Sequence, residues 1–281
     1  MIKEIKKIAN KNIDFFNLEE NHLSIQLSLD GFSFCIYNKI VNEFGYFAKF
    51  EFDNQNGISP YKHLEFVEEI FKKEKILQLK FNSVSVTHFN NLVAQVPKPF
   101  FNKEYLPDYL KYSVKVLEND FITFDEINNS EIVNVYIPFV NINNFLLDHY
   151  GSFIFKHSST VLIEKLLNEY KNSDGDFCFV NVTNNNFEIV VLKEKKFKLF
   201  NCFNFNTKED FIYYILFTAE QLELNPEELN LVLLGDIEKE SELYTILYQY
   251  IRNINFYSPS KKSTSLNELS THSQFIVLNQ F

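Results

Sequence analysis

The polar and apolar positions of the chain follow two periods in turn. Residues 23–29 (LSIQLSL), 32–37 (FSFCIY) and 45–52 (GYFAKFEF) alternate with period two, which predicts three half-buried strands. The breaks between them are short, so the three are expected to be antiparallel neighbours. Ser59 then reads as a helix N-cap with Pro60 at the first helical position. Leu64, Val67, Ile70 and Phe71 supply the apolar stripe of that helix, and period two returns at residues 81–88 (FNSVSVTH).

The same order recurs further on. The turn NSDG at 172–175 leads into residues 177–183 (FCFVNVT), 187–193 (FEIVVLK) and 197–203 (FKLFNCF). A helix starts at Thr207, with Asp210 three residues on as in a capping box, and carries Phe211, Ile215, Ala219 and Leu222 on one side. A short apolar run at 231–234 stops at Gly235, and a helix bearing Leu243, Ile246, Leu247, Tyr250 and Ile251 follows. Strand–strand–strand–helix–strand thus occurs over 23–88 and again over 177–234, with little residue identity between the copies. A right-handed crossover through each helix sets the fourth strand parallel to the first. The expectation is an α/β fold of two lobes, each a mixed sheet of three antiparallel strands plus parallel strands, with flanking helices. Residues 1–170 form the first lobe, with an insertion, and residues 171–281 the second.

Between the copies the pattern is less regular. Pro97 and Pro99 interrupt the chain. A short helix is expected at 103–114, strands at 121–126 and 132–138, a helix at 142–150 and a strand at 153–157. Ser158 or Ser159 then caps a helix with Leu162, Ile163, Leu166, Leu167 and Tyr170. Residues 1–22 read as an N-terminal arm, and 257–270 as a polar loop. Residues 273–281 (SQFIVLNQF) read as a closing strand or, alternatively, as a segment that docks onto a partner.

Composition narrows the function classes. The 281 residues include 32 Phe, and each buried ring removes roughly 150–250 Å² from water, so a large core is available. A net charge of −10 gives no counterion-release advantage on nucleic acid. The basic run KEKKFK at 193–198 sits at an expected hairpin tip. Cys35, Cys178 and Cys202 lie in strand-like runs without metal spacing, as small buried residues of a reduced compartment do. The start of the chain lacks the apolar stretch of a secretion signal, and the most apolar run, residues 211–219, is shorter than the ~18 residues a membrane span needs. A soluble, cytoplasmic protein is expected.

The element order resembles the ribonuclease-H-like fold as duplicated in the actin-like ATPases. More narrowly, residues 23–38 (LSIQLSLDGFSFCIYN) resemble the opening of a bacterial domain-of-unknown-function family, number 3822, assigned to that fold. This resemblance implies a fold, since the family has no established activity. Actin-like ATPases hold nucleotide between the lobes, and their first and second hairpin turns are phosphate loops in which an Asp at the strand end is followed by Gly and small residues. Main-chain N–H groups must approach phosphate oxygens closely there, and a carboxylate holds Mg²⁺ or orients water.

At the matching positions this sequence departs from the pattern. Ser28 holds the first strand end, and Asp30-Gly31 is flanked by the bulky Leu29 and Phe32. Asn181 stands where the second Asp belongs, followed by Val182, Thr183 and Asn184-Asn185-Asn186, with no Gly. The double-Gly adenosine motif is reduced to Leu234-Gly235-Asp236. Asp30-Gly31 therefore reads as a hairpin turn. Ser28, Asp30, Gly31, Asn181, Thr183, Asn184, Gly235 and Asp236 are the candidates to line an interlobe cleft, with no catalytic residue, metal or cofactor assigned. The first functional reading is a non-catalytic binding or scaffold module whose cleft takes a protein or small-molecule partner. The second is a divergent ATPase or nucleotide-dependent switch that binds Mg-ATP through Asp30, Thr183 and Asp236. A third, a metal nuclease, would join Asp30 to Glu65, Glu68 or Glu69, although those glutamates also suit the solvated face of an amphipathic helix. His88 and His157 fall near strand ends, where sites gather in open sheets, but neither has an acidic or Cys partner at a set spacing.

Overall fold

The computed structural model describes residues 1–10, 20–53, 57–184, 186–259, 270 and 272–281. The predicted alternations form β2 (Asn21–Ser28), β3 (Gly31–Asn38) and β4 (Glu43–Phe52), and the helix behind Ser59 is α1 (Pro60–Lys73). The Ser59 side chain accepts from the Lys62 N–H as the N-cap. β5 (Ser83–Phe89) then pairs parallel with β2. A preceding strand, β1 (Ile2–Ala9), pairs antiparallel with β4, where only an arm is expected from the sequence. Its Ile2, Ile5 and Ile8 are spaced by three, and a register shift between Glu4 and Lys6 absorbs the mismatch, so no period-two signal survives.

An insertion follows. β6 (Val93–Pro97), α2 (Leu106–Leu110), β7 (Thr123–Glu126) and β8 (Ile132–Tyr136) make a small sheet of order β6-β8-β7 around Val96, Leu110, Val133 and Val135. β6 is not expected from the sequence because it ends on Pro97. As an edge strand it tolerates a residue that cannot donate to the ladder. The expected helix at 103–114 shrinks to a 3-10 turn and the single turn of α2. The chain returns through α3 (Val140–Tyr150) to β9 (Ile154–His157), which pairs parallel with β5.

α4 (Ser158–Tyr170) is capped by the His157 side chain, which accepts from Ser159 N–H, and not by Ser158 or Ser159. The Ser158 hydroxyl is buried without a partner among the described residues, and the next two hydroxyls are engaged elsewhere. Thr160 donates to Asp125 at 2.8 Å, and Ser159 and Thr160 accept from Asn134 at 3.0 and 2.7 Å. His157 donates from Nε2 to Asn90 O at 3.0 Å, and burial lowers its pKa to about 4, so it remains a neutral acceptor through Nδ1.

The second copy comprises β10 (Phe177–Val182), β11 (Asn186–Lys193), β12 (Lys196–Asn204), α5 (Lys208–Gln221), β13 (Asn230–Gly235), α6 (Glu242–Tyr250) and β14 (Asn253–Phe256). Thr207 and Asp210 form the predicted capping box, and Glu194 and Lys195 turn the β11–β12 hairpin at positive φ. Four-residue β14 is too short to leave a pattern in the sequence. The two large sheets run β1-β4-β3-β2-β5-β9 and β12-β11-β10-β13-β14. Apart from the added β1, the order and the senses of pairing are the same in both.

Each sheet buries one face under its own helices. Leu23, Ile25, Leu27, Phe34 and Phe50 pack against Phe66, Val67, Ile142 and Leu146 of α1 and α3, while Val180, Phe187 and Leu231 pack against Phe211, Ile215 and Leu247 of α5 and α6. The opposite face of the second sheet is covered by Leu162, Ile163 and Leu166 of α4 together with Phe275 and Ile276. The next two residues, Val277 and Leu278, pack instead on Cys35 and Phe47 of the first sheet. Residues 275–278 thus wedge between the two sheets. They do so as turns and a 3-10 helix (Val277–Asn279), not as the expected closing strand. A strand there would bury alternate residues only, whereas all four consecutive side chains are buried. Of the polar loop expected at 257–270, residues 260–269 lie outside the described residues. Among the described residues no helix is long and apolar enough to cross a membrane.

Candidate functional site

All eight cleft candidates come together. Ser28, Asp30 and Gly31 from the first lobe face Asn181, Thr183, Asn184, Gly235 and Asp236 from the second across a narrow throat. The first turn consists of Leu29 and Asp30, so Gly31 is not at the tip but opens β3. Its lack of a side chain serves strand packing, since a Cβ there would lie 2.9 Å from Phe50 O. The Ser28 hydroxyl donates to Asp30 Oδ1 at 2.7 Å, which ties the only carboxylate of the turn to its own hairpin. In the second turn Thr183 closes on Asn186, its N–H donating to Asn186 O at 2.9 Å. Asn185 lies outside the described residues. Gly235 has φ +82°, and a Cβ on it would meet Val182 O at 2.0 Å. The β10–β13 ladder approaches too closely there for any side chain.

Three features of the site carry no clear sequence signal. Lys49 on β4 reaches across the throat to Asp236 at 2.8 Å. Residues 273–276 form part of the throat wall. Under the floor, Asn181 donates from Nδ2 to Glu188 Oε2 at 2.8 Å. Glu188 is only 2% exposed, and burial pushes its pKa up to about 7 against the pull of the Asn181 amide. It stands opposite Asn181 on one side and Cys202 on the other, and burial together with Glu188 raises the Cys202 thiol to about 12. Glu188 is legible in retrospect as the one carboxylate in FEIVVLK, a strand apolar on both faces.

What remains open in the throat is about 80 Å³, room for a few waters and far below the roughly 300–1,000 Å³ of ligand pockets. Beyond it lies a vestibule of about 450 Å³ that shares Ser28, Asp30 and Asn184 with the throat and adds Leu29, Asp53, Asn90, Asn91, Asn186 and Asn204. Phe52, Phe89 and Cys202 complete the lining, in which carboxamides and two carboxylates predominate among the polar groups, with no Lys or Arg among the described residues.

The carboxylates of α1 do not join Asp30. Glu65 pairs with Lys62 and Glu68 with Lys72 along the exposed helix face, and no three His, Cys, Asp or Glu among the described residues are placed to hold a metal. His88 and His157 are fully buried, with pKa values lowered by burial to about 3 and about 4. They serve the packing of the insertion, His88 Nδ1 accepting from Phe139 N–H.

The profile of the family described as "Protein of unknown function (DUF3822)" matches residues 10–254. The chain belongs to the DUF3822 family. Among solved structures it is similar to a Bacteroides thetaiotaomicron protein described as having an actin-like ATPase fold and unknown function, with 24% identity, TM-score 0.79, and 89% of this chain and 95% of that one covered. It is also similar to a chain of the PilM-PilN type IV pilus biogenesis complex, with 12% identity, TM-score 0.54, and 92% and 97% covered. No curated protein matches the sequence. These likenesses agree with the two repeated sheets: the DUF3822 chain has the actin-like ATPase fold, α/β with two sheet-rich lobes.

That fold raises the question of Mg-nucleotide, and the residues do not fit it. The throat is too small for a triphosphate. Its one lysine among the described residues is already paired with Asp236, and the described polar groups of the DUF3822 vestibule are carboxamides, two carboxylates, the Ser28 hydroxyl and the Cys202 thiol. The described residues there supply no Lys or Arg to a triphosphate, so its own Mg²⁺ would be its only counter-charge.

Proposed function

We propose that this DUF3822 protein is a non-catalytic actin-like binding module whose interlobe vestibule takes an uncharged or cationic partner, a polypeptide segment or a small polar molecule. The observation that carries this reading is the filled throat. Residues 273–276 and the Lys49–Asp236 pair occupy the position between the hairpin turns and leave about 80 Å³. Asn side chains present both a donor and an acceptor, the complement of a peptide group, and Asp30 and Asp53 favour positive over negative charge. A protein of the same fold is known in a complex, PilM-PilN, which is consistent with a binding role. The lobes divide in this reading near residue 170, with α4 between them.

Calorimetric titration with Mg-ATP and Mg-ADP tests the proposal. No saturable heat is expected. Saturable micromolar binding that weakens in Asp30→Ala or Lys49→Ala would reject it in favour of a divergent ATPase or nucleotide switch.

A further inference from the structure

The end of the first sheet that points away from the cleft carries a second cavity. The start of β2 and of β5 open there onto a space of about 790 Å³, within the range of ligand pockets. Phe81 and Phe153 give it apolar walls, Lys39, Ser83 and His22 form a polar end, and Lys80 also lines it. In a chain of net charge −10 its lining includes two lysines and no Asp or Glu side chain among the described residues.

The polar end is connected. Lys39 Nζ donates to Ser83 Oγ at 2.9 Å, and Ser83 Oγ lies 2.7 Å from His22 Nδ1. An ammonium can only donate, so Ser83 Oγ is the acceptor of the Lys39 contact. His22 Nε2 is buried and has no hydrogen-bond partner among the described residues, on a side chain only 3% exposed. A buried polar atom left unpaired is costly. Two ammonium groups and a hydroxyl in the lining of a partly apolar cavity, with no carboxylate among the described residues, are complementary to a negative head joined to an apolar body.

We propose that this cavity binds an amphipathic organic anion, its carboxylate or phosphate monoester head against Lys39, Lys80 and Ser83 and its apolar tail along Phe81 and Phe153. The site is remote from the interlobe cleft, so it stands or falls separately from the reading given for the cleft.

Calorimetric titration of the full chain with octyl phosphate and with octanoate tests this, and the tighter of the two identifies the head group. One-to-one saturable binding is expected, weaker by about tenfold or more in Lys39→Gln/Lys80→Gln, whose exposed side chains leave the core untouched, and weaker by a similar factor for octanamide and for inorganic phosphate. Absence of saturable binding overturns the proposal, as does unchanged affinity in the double variant. Equal binding of octanamide would remove the role of charge, and equal binding of inorganic phosphate the role of the tail, and either result also overturns it.

Discussion

Gly235 separates a nucleotide motif from a demand of the fold. In Gly235→Ala the new methyl would fall 2.0 Å from Val182 O, 2.6 Å from Val182 N and 2.8 Å from Asn181 Oδ1. No rotamer relieves a Cβ clash, so the strands must part where Val182 pairs with Gly235. Two hydrogen bonds are at stake, Asp236 N–H to Val182 O at 2.7 Å and Gly235 N–H to His272 O at 2.8 Å, each worth about 1 kcal/mol net. Holding Ala at φ +82° adds about 1–3 kcal/mol. The sum, about 3–5 kcal/mol, is a large part of the ~5–15 kcal/mol that holds a domain together. Gly151→Ala is the control: φ is +77° there, but nothing lies within 4 Å of the added Cβ, so only the conformational cost of about 1–3 kcal/mol applies. Urea unfolding followed by circular dichroism reads both. A clearly lower midpoint for Gly235→Ala than for Gly151→Ala is expected. Equal midpoints would refute the argument that close strand approach, and not backbone conformation alone, fixes this glycine.

Two further predictions concern buried charge. Glu188 titrates at about 7 in the fold, above its unfolded value, so its stabilising share is complete below the unfolded pKa and is lost as pH rises through 7. Glu188→Gln keeps an acceptor for Asn181 and is expected to stabilise the protein at pH 8 by about 1–3 kcal/mol while changing little at pH 5; an equal effect at both pH values would contradict this. His22, His63 and His157 are held near pKa 4 by burial, below the unfolded value, so protons favour the unfolded chain as pH drops from about 6.5 to 4. At pH 5 each should cost about 2 kcal/mol, a factor of about 30 in the unfolding equilibrium. In His63→Phe, whose ring would sit beside Phe52 and Phe139, the loss between pH 7 and pH 5, read from urea midpoints, should shrink by one such share.

The repeated architecture is legible in the sequence because the positions facing the helices are large and apolar, while the opposite face of β2 and β3, although largely buried too, carries Ser24, Gln26, Ser33 and Cys35. LSIQLSL and FSFCIY send Leu23, Ile25, Leu27, Phe32 and Phe34 to one helix-covered face, and the period-two signal follows directly. The convergence of the hairpin turns is also legible, since parallel β2–β5 and β10–β13 pairing brings the ends of those strands to the same edge. What the pattern misses lies where partners are remote in sequence or where a strand sits at an edge. β1, β6 and β14 are edge strands, and edges relax both alternation and composition. Lys49 lies in an ordinary strand run, and only the juxtaposed lobes reveal Asp236 as its partner. The hydrophobicity of FIVL at 275–278 is plain, but it fits a strand as well as an irregular segment buried on all sides.

The wedge also bears on how the molecule assembles. Gln280 Nε2 donates to Ile25 O at 3.1 Å and Cys35 Sγ to Val277 O at 3.2 Å, contacts separated by 255 and 242 positions along the chain. Loops of that length close late, because their entropy is spent before any contact is gained. Each sheet is held by hairpins local in sequence, whereas these contacts join the two sheets through a segment at the far end of the chain. The segment that ties one lobe to the other is thus also part of the wall that narrows the throat.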